Sequence, residues 1–170
     1  RARSWPAGFA RAATGGGLPP ESDPNYRKVF TADDLVAALG NRNTKVIEIM
    51  NDLDLGFNEV PATVRTGALR SASAPLLHPA LLITGVSLID IQDKIGLTIF
   101  SANGATIRHA NFNVKRANNV IIRNLKFDEL WEWDESSKGK YDKQGWDFIT
   151  VDMTSDNIWI DHCTFTKAYD

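Results

Sequence analysis

Apolar residues in this chain come mostly in short bursts separated by Asn, Gly and Asp, and one stretch near the start places them at helical spacing. In that stretch Leu35, Ala38 and Leu39 share a face, Thr31 stands where a helix N-cap belongs, Asp33 and Asp34 suit its positive end, and Gly40 can stop it. The pattern predicts a short helix there. Val46, Ile47, Ile49 and Met50 then form an apolar group of strand length, closed by Asn51 and Asp52. Before the helix, Gly15-Gly16-Gly17, Pro19-Pro20 and Pro24 predict an extended, docked arm over the first 28 residues. Between 51 and 93 the pattern is weaker: residues 76 to 82 are apolar around Pro79, and Val86, Leu88, Ile89 and Ile91 fit a strand.

From residue 94 onward the bursts are β-rich and no helical period intervenes. Leu97-Thr98-Ile99-Phe100-Ser101, Asn119-Val120-Ile121-Ile122-Arg123 and Asn157-Ile158-Trp159-Ile160-Asp161 superpose, at offsets of 22 residues from 97 to 119 and 38 from 119 to 157. The likeness continues from Asn124-Leu125-Lys126-Phe127 to His162-Cys163-Thr164-Phe165. One β burst per unit of about 20 to 25 residues is the mark of a solenoid, in which each coil buries its apolar side on the next. The expectation is an all-β chain: a right-handed parallel β-helix with a short N-terminal capping helix, forming a single domain over residues 1–170. The longer interval then reads as one coil plus a 16-residue excursion supplied by residues 128 to 145.

Composition narrows the function classes. The 170 residues are 43% apolar, enough for one sizeable core. With 19 Lys and Arg against 21 Asp and Glu, the net charge of −2 makes no field that would gather nucleic acid or anionic lipid. No stretch has the length of a membrane span, and Arg1 to Pro6 lacks a signal-peptide core, so the expectation is a soluble mature protein or a cut piece. The single cysteine, Cys163, forms no internal disulfide and no multi-cysteine zinc cluster.

The excursion holds acids, then lysines, with aromatic residues between them. It reads either as a solvated loop pinned by its tryptophans or as a cation site beside a sugar platform, since a hard cation takes several carboxylate oxygens and lysines attract acidic sugars. It has no EF-hand spacing, so any ligands to calcium must come from different coils. Asp161 and His162 are neighbours in a predicted strand, where alternate side chains face opposite ways, so Asp161 is not expected to orient the His162 ring. A structural His162 satisfied by backbone partners and a buried, inert Cys163 are the expectations. His78 and His109 have no acidic or thiol neighbour at an informative spacing and receive no role. Gly15-Gly16-Gly17 lacks the spacing and the preceding strand of a phosphate cradle.

These motifs together resemble the N-terminal portion of a polysaccharide lyase family 1 pectate lyase. Gly8-Phe9-Ala10 with Thr14-Gly15-Gly16-Gly17 is similar to the family's opening, and Asp34-Leu35-Val36-Ala37-Ala38-Leu39 to its capping helix. Asn119 to Leu125, Trp146-Asp147-Phe148-Ile149 and Ile158 to Phe165 are stronger matches, in the right order and spacing. The resemblance covers residues 8 to 50 and 94 to 170 and is weak between them. It implies calcium-dependent β-elimination of polygalacturonate (pectate), with an arginine usually acting as base. Residue by residue, Asp147 matches the family's first calcium-binding aspartate, and Asp170 matches the first acid of the next ligand pair. Asp142 is a possible substitute for a further acid that some members place just before it.

The family's later lysine and catalytic arginine would lie past Asp170, so no catalytic residue is assigned. Arg108, Arg116 and Arg123 precede the calcium motif and are not promoted. The expectation is therefore the N-terminal part of a longer secreted, monomeric enzyme, with exposed core on its last coil. Two alternatives stay open: a calcium-independent pectin lyase, against which Asp147 and Asp170 argue, and a β-helical module that binds polysaccharide without catalysis.

Overall fold

The computed structural model describes residues 13–55, 88–130 and 147–168. Helix α1 (Ala32–Gly40) forms as the pattern predicts. Thr31 Oγ1 accepts the Asp34 N–H at 3.1 Å while the Asp34 carboxylate accepts the Thr31 N–H, a reciprocal capping box. Leu35, Ala38 and Leu39 are its buried face.

Among the described residues, twelve strands follow a three-sheet circuit. One sheet contains β1 (Tyr26–Val29), β2 (Val46–Ile49), β5 (Ile95–Phe100), β8 (Asn118–Arg123) and β11 (Asp156–Asp161), in that order. A second contains β3 (Leu53–Asp54), β6 (Thr106–Arg108), β9 (Lys126–Leu130) and β12 (Thr164–Ala168). The third contains β4 (Leu88–Gln92), β7 (Asn111–Lys115) and β10 (Ile149–Asp152). Every pairing is parallel. The chain passes from the three-stranded sheet to the five-stranded and then to the four-stranded one before climbing a rung, which makes it a parallel β-helix.

The core is what each rung points inward. Ile91, Leu97, Ile99, Ile107, Phe112, Val114, Ile122 and Phe127 have no exposed surface. Phe112 meets Phe127 edge to face at 5.2 Å, and Phe165 stacks on Phe127 at 5.3 Å. Phe165 occupies Phe127's register on the rung above yet is 46% exposed, and Val151 and Ile160 are exposed as well.

Two expectations about spacing are corrected. Leu97 pairs with Val120, not Asn119, so the coil is 23 residues long rather than 22. The reason lies in the backbone. Gly96, Asn119 and Asn157 stand one above another with φ of 71°, 61° and 51°, and this left-handed residue shifts the inward alternation by one place. The excursion also starts later than residue 128, because β9 continues through Leu130, which is fully buried. Most of the excursion, 131–146, lies outside the described residues, as do the apolar runs placed between 56 and 87 and the histidine at 78.

Left-handed residues recur at the other corners. Asp93, Arg116 and Met153 form a second stack, Asn124 and His162 a third, and His109, Glu129 and Lys167 a fourth. The arm is docked, as expected, over its described part from residue 13, residues 1–12 lying outside the described ones: Asn119 Oδ1 accepts the N–H groups of Thr14 and Gly15 at 2.6 and 2.9 Å. Its last residues do more than predicted, since Tyr26–Val29 pairs with β2 as an edge strand, and the Tyr26 hydroxyl donates to buried Glu48 at 2.7 Å.

Candidate functional site

The outer face of the three-stranded sheet is polar because its strands alternate. Ile89, Phe112 and Ile149 point inward in register, while Asp90, Asn113 and Thr150, and then Gln92, Lys115 and Asp152, form rows on the outside. Lys115 Nζ lies 3.1 Å from Asp90 Oδ1 within this face. Asp147 stands at the rim, just ahead of β10, with its side chain exposed. Its main-chain carbonyl accepts from Asn111 Nδ2 at 2.5 Å, and the same amide reaches Thr150 Oγ1 at 2.9 Å. The carboxylate itself has no hydrogen bond or ion pair among the described residues, so a hard oxygen donor faces solvent on an anchored backbone.

One carboxylate does not hold a calcium ion. No group of three His, Cys, Asp or Glu side chains suited to a metal occurs among the described residues, and Asp170 and Asp142 lie outside them. Of the assigned aspartates, Asp147 is the one the described residues include, and it stands at the corner between the four-stranded and the three-stranded sheets, just ahead of β10.

That corner contains groups the sequence pattern did not single out. His109 is 8% exposed; its Nδ1 lies 2.5 Å from Asp54 Oδ1 and its Nε2 3.5 Å from Glu129 Oε2. Glu129 Oε1 in turn accepts from Lys167 Nζ at 2.8 Å. Asp54 is 55 residues away from His109 in the chain, so no local spacing pointed to it. The signal that existed was the coil period, which brings residues one turn apart into contact.

His162 corrects two expectations. Its ring Nδ1 lies 2.6 Å from Asp161 Oδ1, and its side chain is 70% exposed rather than held by backbone partners inside. His162 has φ of 52°, so it leaves strand geometry and its side chain turns onto the same side as its neighbour. Asp161 is also engaged by Arg123 at 2.9 Å. Cys163 is half-buried rather than buried, and that partial burial holds its thiol above the ordinary value, against reactivity, as expected of an inert cysteine. Arg108 and Arg116 are ion-paired with Asp128 and Asp93, so with Arg123 all three unpromoted arginines face carboxylates.

Comparison with known proteins agrees with this geometry. The family described as pectate lyase matches residues 82–169. Pectate lyase B of Paenibacillus amylolyticus is 57% identical over 166 residues, covering 96% of this chain and 42% of that protein. A solved pectate lyase from Paenibacillus sp. 0602 superposes with a TM-score of 0.76 at 50% identity, over 96% of this chain and 37% of its own. A pectate lyase bound to a hexasaccharide superposes at 0.61 with 25% identity, covering 90% of this chain and 45% of that one. The chain thus spans less than half the length of the relatives it matches.

Proposed function

Because this chain belongs to the pectate lyase family, we propose that it contributes the first rungs of a secreted, calcium-dependent enzyme that cleaves polygalacturonate by β-elimination. The observation that supports this reading is the free Asp147 carboxylate, anchored through its backbone by buried Asn111 at the rim of a polar sheet face.

Asp147 and Asp170 would hold the ion. When bound, calcium would neutralise a uronate carboxylate and make the neighbouring C5 proton more acidic. The chain's own residues shape that environment. Asn111 keeps Asp147 from swinging away, and the polar rows from Asp90 to Thr150 and from Gln92 to Asp152 offer hydrogen bonds to sugar hydroxyls. In the elimination a base takes the C5 proton, the C4–O bond breaks, and a double bond forms between C4 and C5 without water. Arg108, Arg116 and Arg123 are bound to carboxylates, which suits structural roles and leaves the base to the part of the enzyme beyond this chain. A polymer of the plant wall lies outside cells, which is the ground for secretion.

The test uses the complete enzyme with polygalacturonate. Ultraviolet absorbance of unsaturated uronides should rise, stop on chelation and return with added calcium. Asp147→Ala should weaken calcium binding while changing stability by no more than about 0.5 kcal/mol, as expected of an exposed group. A flat trace removes the lyase reading; activity that survives chelator and prefers methylated polymer moves the assignment to pectin lyase; an unfolded Asp147→Ala makes Asp147 structural.

A further inference from the structure

Among the described residues the three-stranded sheet stops one rung higher than its neighbours: β4 is its lower edge, whereas β2 and β3 lie a rung further down in the other two sheets. Helix α1 takes the place of the missing strand, packing on β1, β2 and β4. A cavity of about 320 Å³ opens between the helix and the β4 edge, within the size range of small-ligand sites. Buried Leu39 and Ile89 and exposed Val36 form its apolar wall.

Four charged residues line the rest of it. Asp90 is ion-paired with Lys115 at 3.1 Å, and Asp93 accepts from Arg116 at 2.8 and 3.1 Å, so both acids are balanced by cations outside the cavity. Arg42 and Lys94 are not. Arg42 is exposed and makes no hydrogen bond or ion pair among the described residues, acting on Asp93 only at a distance. Buried Lys94 donates once, to the Asn41 carbonyl at 2.8 Å. That bond brings the end of α1 the cation its last turn lacks, but it uses one of three ammonium hydrogens. Burial, and then Lys45 and Arg42, hold the Lys94 ammonium below its ordinary 10.5, as befits cations gathered without a carboxylate between them.

The cavity is also continuous with the polar face described above. Asp90 and Gln92 line it and begin the two outward rows that end at Thr150 and Asp152 on β10, the strand that Asp147 precedes. It is thus the lower end of that face, two rungs or about 10 Å below β10.

We propose that this cavity is a remote binding site for the acidic polymer, in which Arg42 and Lys94 receive the carboxylate of a uronate residue while Val36, Leu39 and Ile89 meet the apolar face of its ring. The inference rests on the polygalacturonate reading given above. Two cations without a carboxylate partner select an anion, and an apolar wall beside them favours a carboxylated ring over an inorganic ion. A chain that leaves the cavity along the Gln92, Lys115 and Asp152 row passes a further cation on its way up the sheet.

The complete enzyme tests it by calorimetry in the presence of chelator, titrated with an unesterified oligogalacturonide and with its methyl ester. Arg42→Gln should weaken binding of the acid about fivefold, the upper range for one exposed charge pair. Val36→Trp keeps every charge but fills the cavity, and should weaken binding at least as much. Both positions are exposed, so both variants should unfold within a few degrees of wild type. Arg27→Gln removes an exposed cation away from the cavity and should bind as wild type does. The methyl ester should bind the wild type no better than the acid binds Arg42→Gln. Unchanged affinity in Arg42→Gln or in Val36→Trp overturns the proposal, as does an equal loss in Arg27→Gln or equal affinity for acid and ester. A wild-type enzyme that neither binds nor cleaves polygalacturonate overturns the substrate reading and this inference with it, whereas cleavage by wild type with unaltered binding in the cavity variants overturns this inference alone.

Discussion

The side-chain amide of Asn111 holds the main-chain carbonyl of Asp147 across 36 residues of sequence, from a site only 4% exposed. A buried amide that serves two acceptors, here the Asp147 carbonyl and the Thr150 hydroxyl, leaves both without a donor when it is removed. Asn111→Ala should therefore destabilise the protein by about 1–3 kcal/mol, measured by denaturant unfolding, and weaken calcium binding although Asn111 offers the ion nothing. The contrast with Asp147→Ala, which should lose binding at nearly unchanged stability, separates the anchor from the ligand.

Acid should loosen one particular corner. The Arg116 guanidinium, bonded to Asp93 at 2.8 and 3.1 Å, and then the Gln92 amide, hold the Asp93 carboxyl at about 2, below its ordinary 3.8. A depressed carboxyl contributes stability above the unfolded value, and that contribution fades as pH falls toward 2. Asp93→Asn keeps a residue at ease with positive φ but removes the charge. The gap in urea midpoint between wild type and Asp93→Asn should be constant above about pH 5 and close between pH 4 and 2. A gap that persists at pH 2 would mean the pair is not its source.

The arm should respond to a single methyl group. A Cβ on Gly16 would lie 1.7 Å from the Lys45 carbonyl oxygen, a backbone atom that cannot step aside. Gly16→Ala should lift the arm, cost about 1–3 kcal/mol as overpacking does, and expose residues 13–25 to limited proteolysis. At Gly17 the added Cβ meets nothing within 4 Å but φ is 75°, so Gly17→Ala should cost only about 1–2 kcal/mol of backbone strain and leave the arm protected. Equal protease sensitivity in the two variants would sink this account.

Much of the coil was readable because its inward residues obey a simple alternation. Leu97, Ile99, Val120 and Ile122 mark buried strands by type alone, and Thr31 with Asp34 marks the helix start. What escaped were effects of positive φ at residues other than glycine. Asn119 slipped the repeat by one place, and His162 turned toward Asp161 against strand logic, because propensity assigns neither a left-handed conformation with certainty. His109 gave no local cue at all: its partners Asp54 and Glu129 are neighbours only after the chain has wound. The resemblance pointed to Asp147, whereas the Asn111 amide that holds its main chain became visible only once the rungs were stacked.

The stack of left-handed residues within β5, β8 and β11 demands one residue per storey in strict vertical alignment. Adding or deleting an amino acid inside β5, β8 or β11 would misalign Gly96, Asn119 and Asn157 and turn a buried row outward. The bends between sheets obey no such arithmetic, as shown by the 15 surplus residues that separate Val120 from Ile158 beyond one 23-residue circuit. Length can thus vary beside Asp147 without disturbing the rungs beneath it, so descendants of this coil are free to remodel that rim by lengthening a bend while the storeys below stay in line.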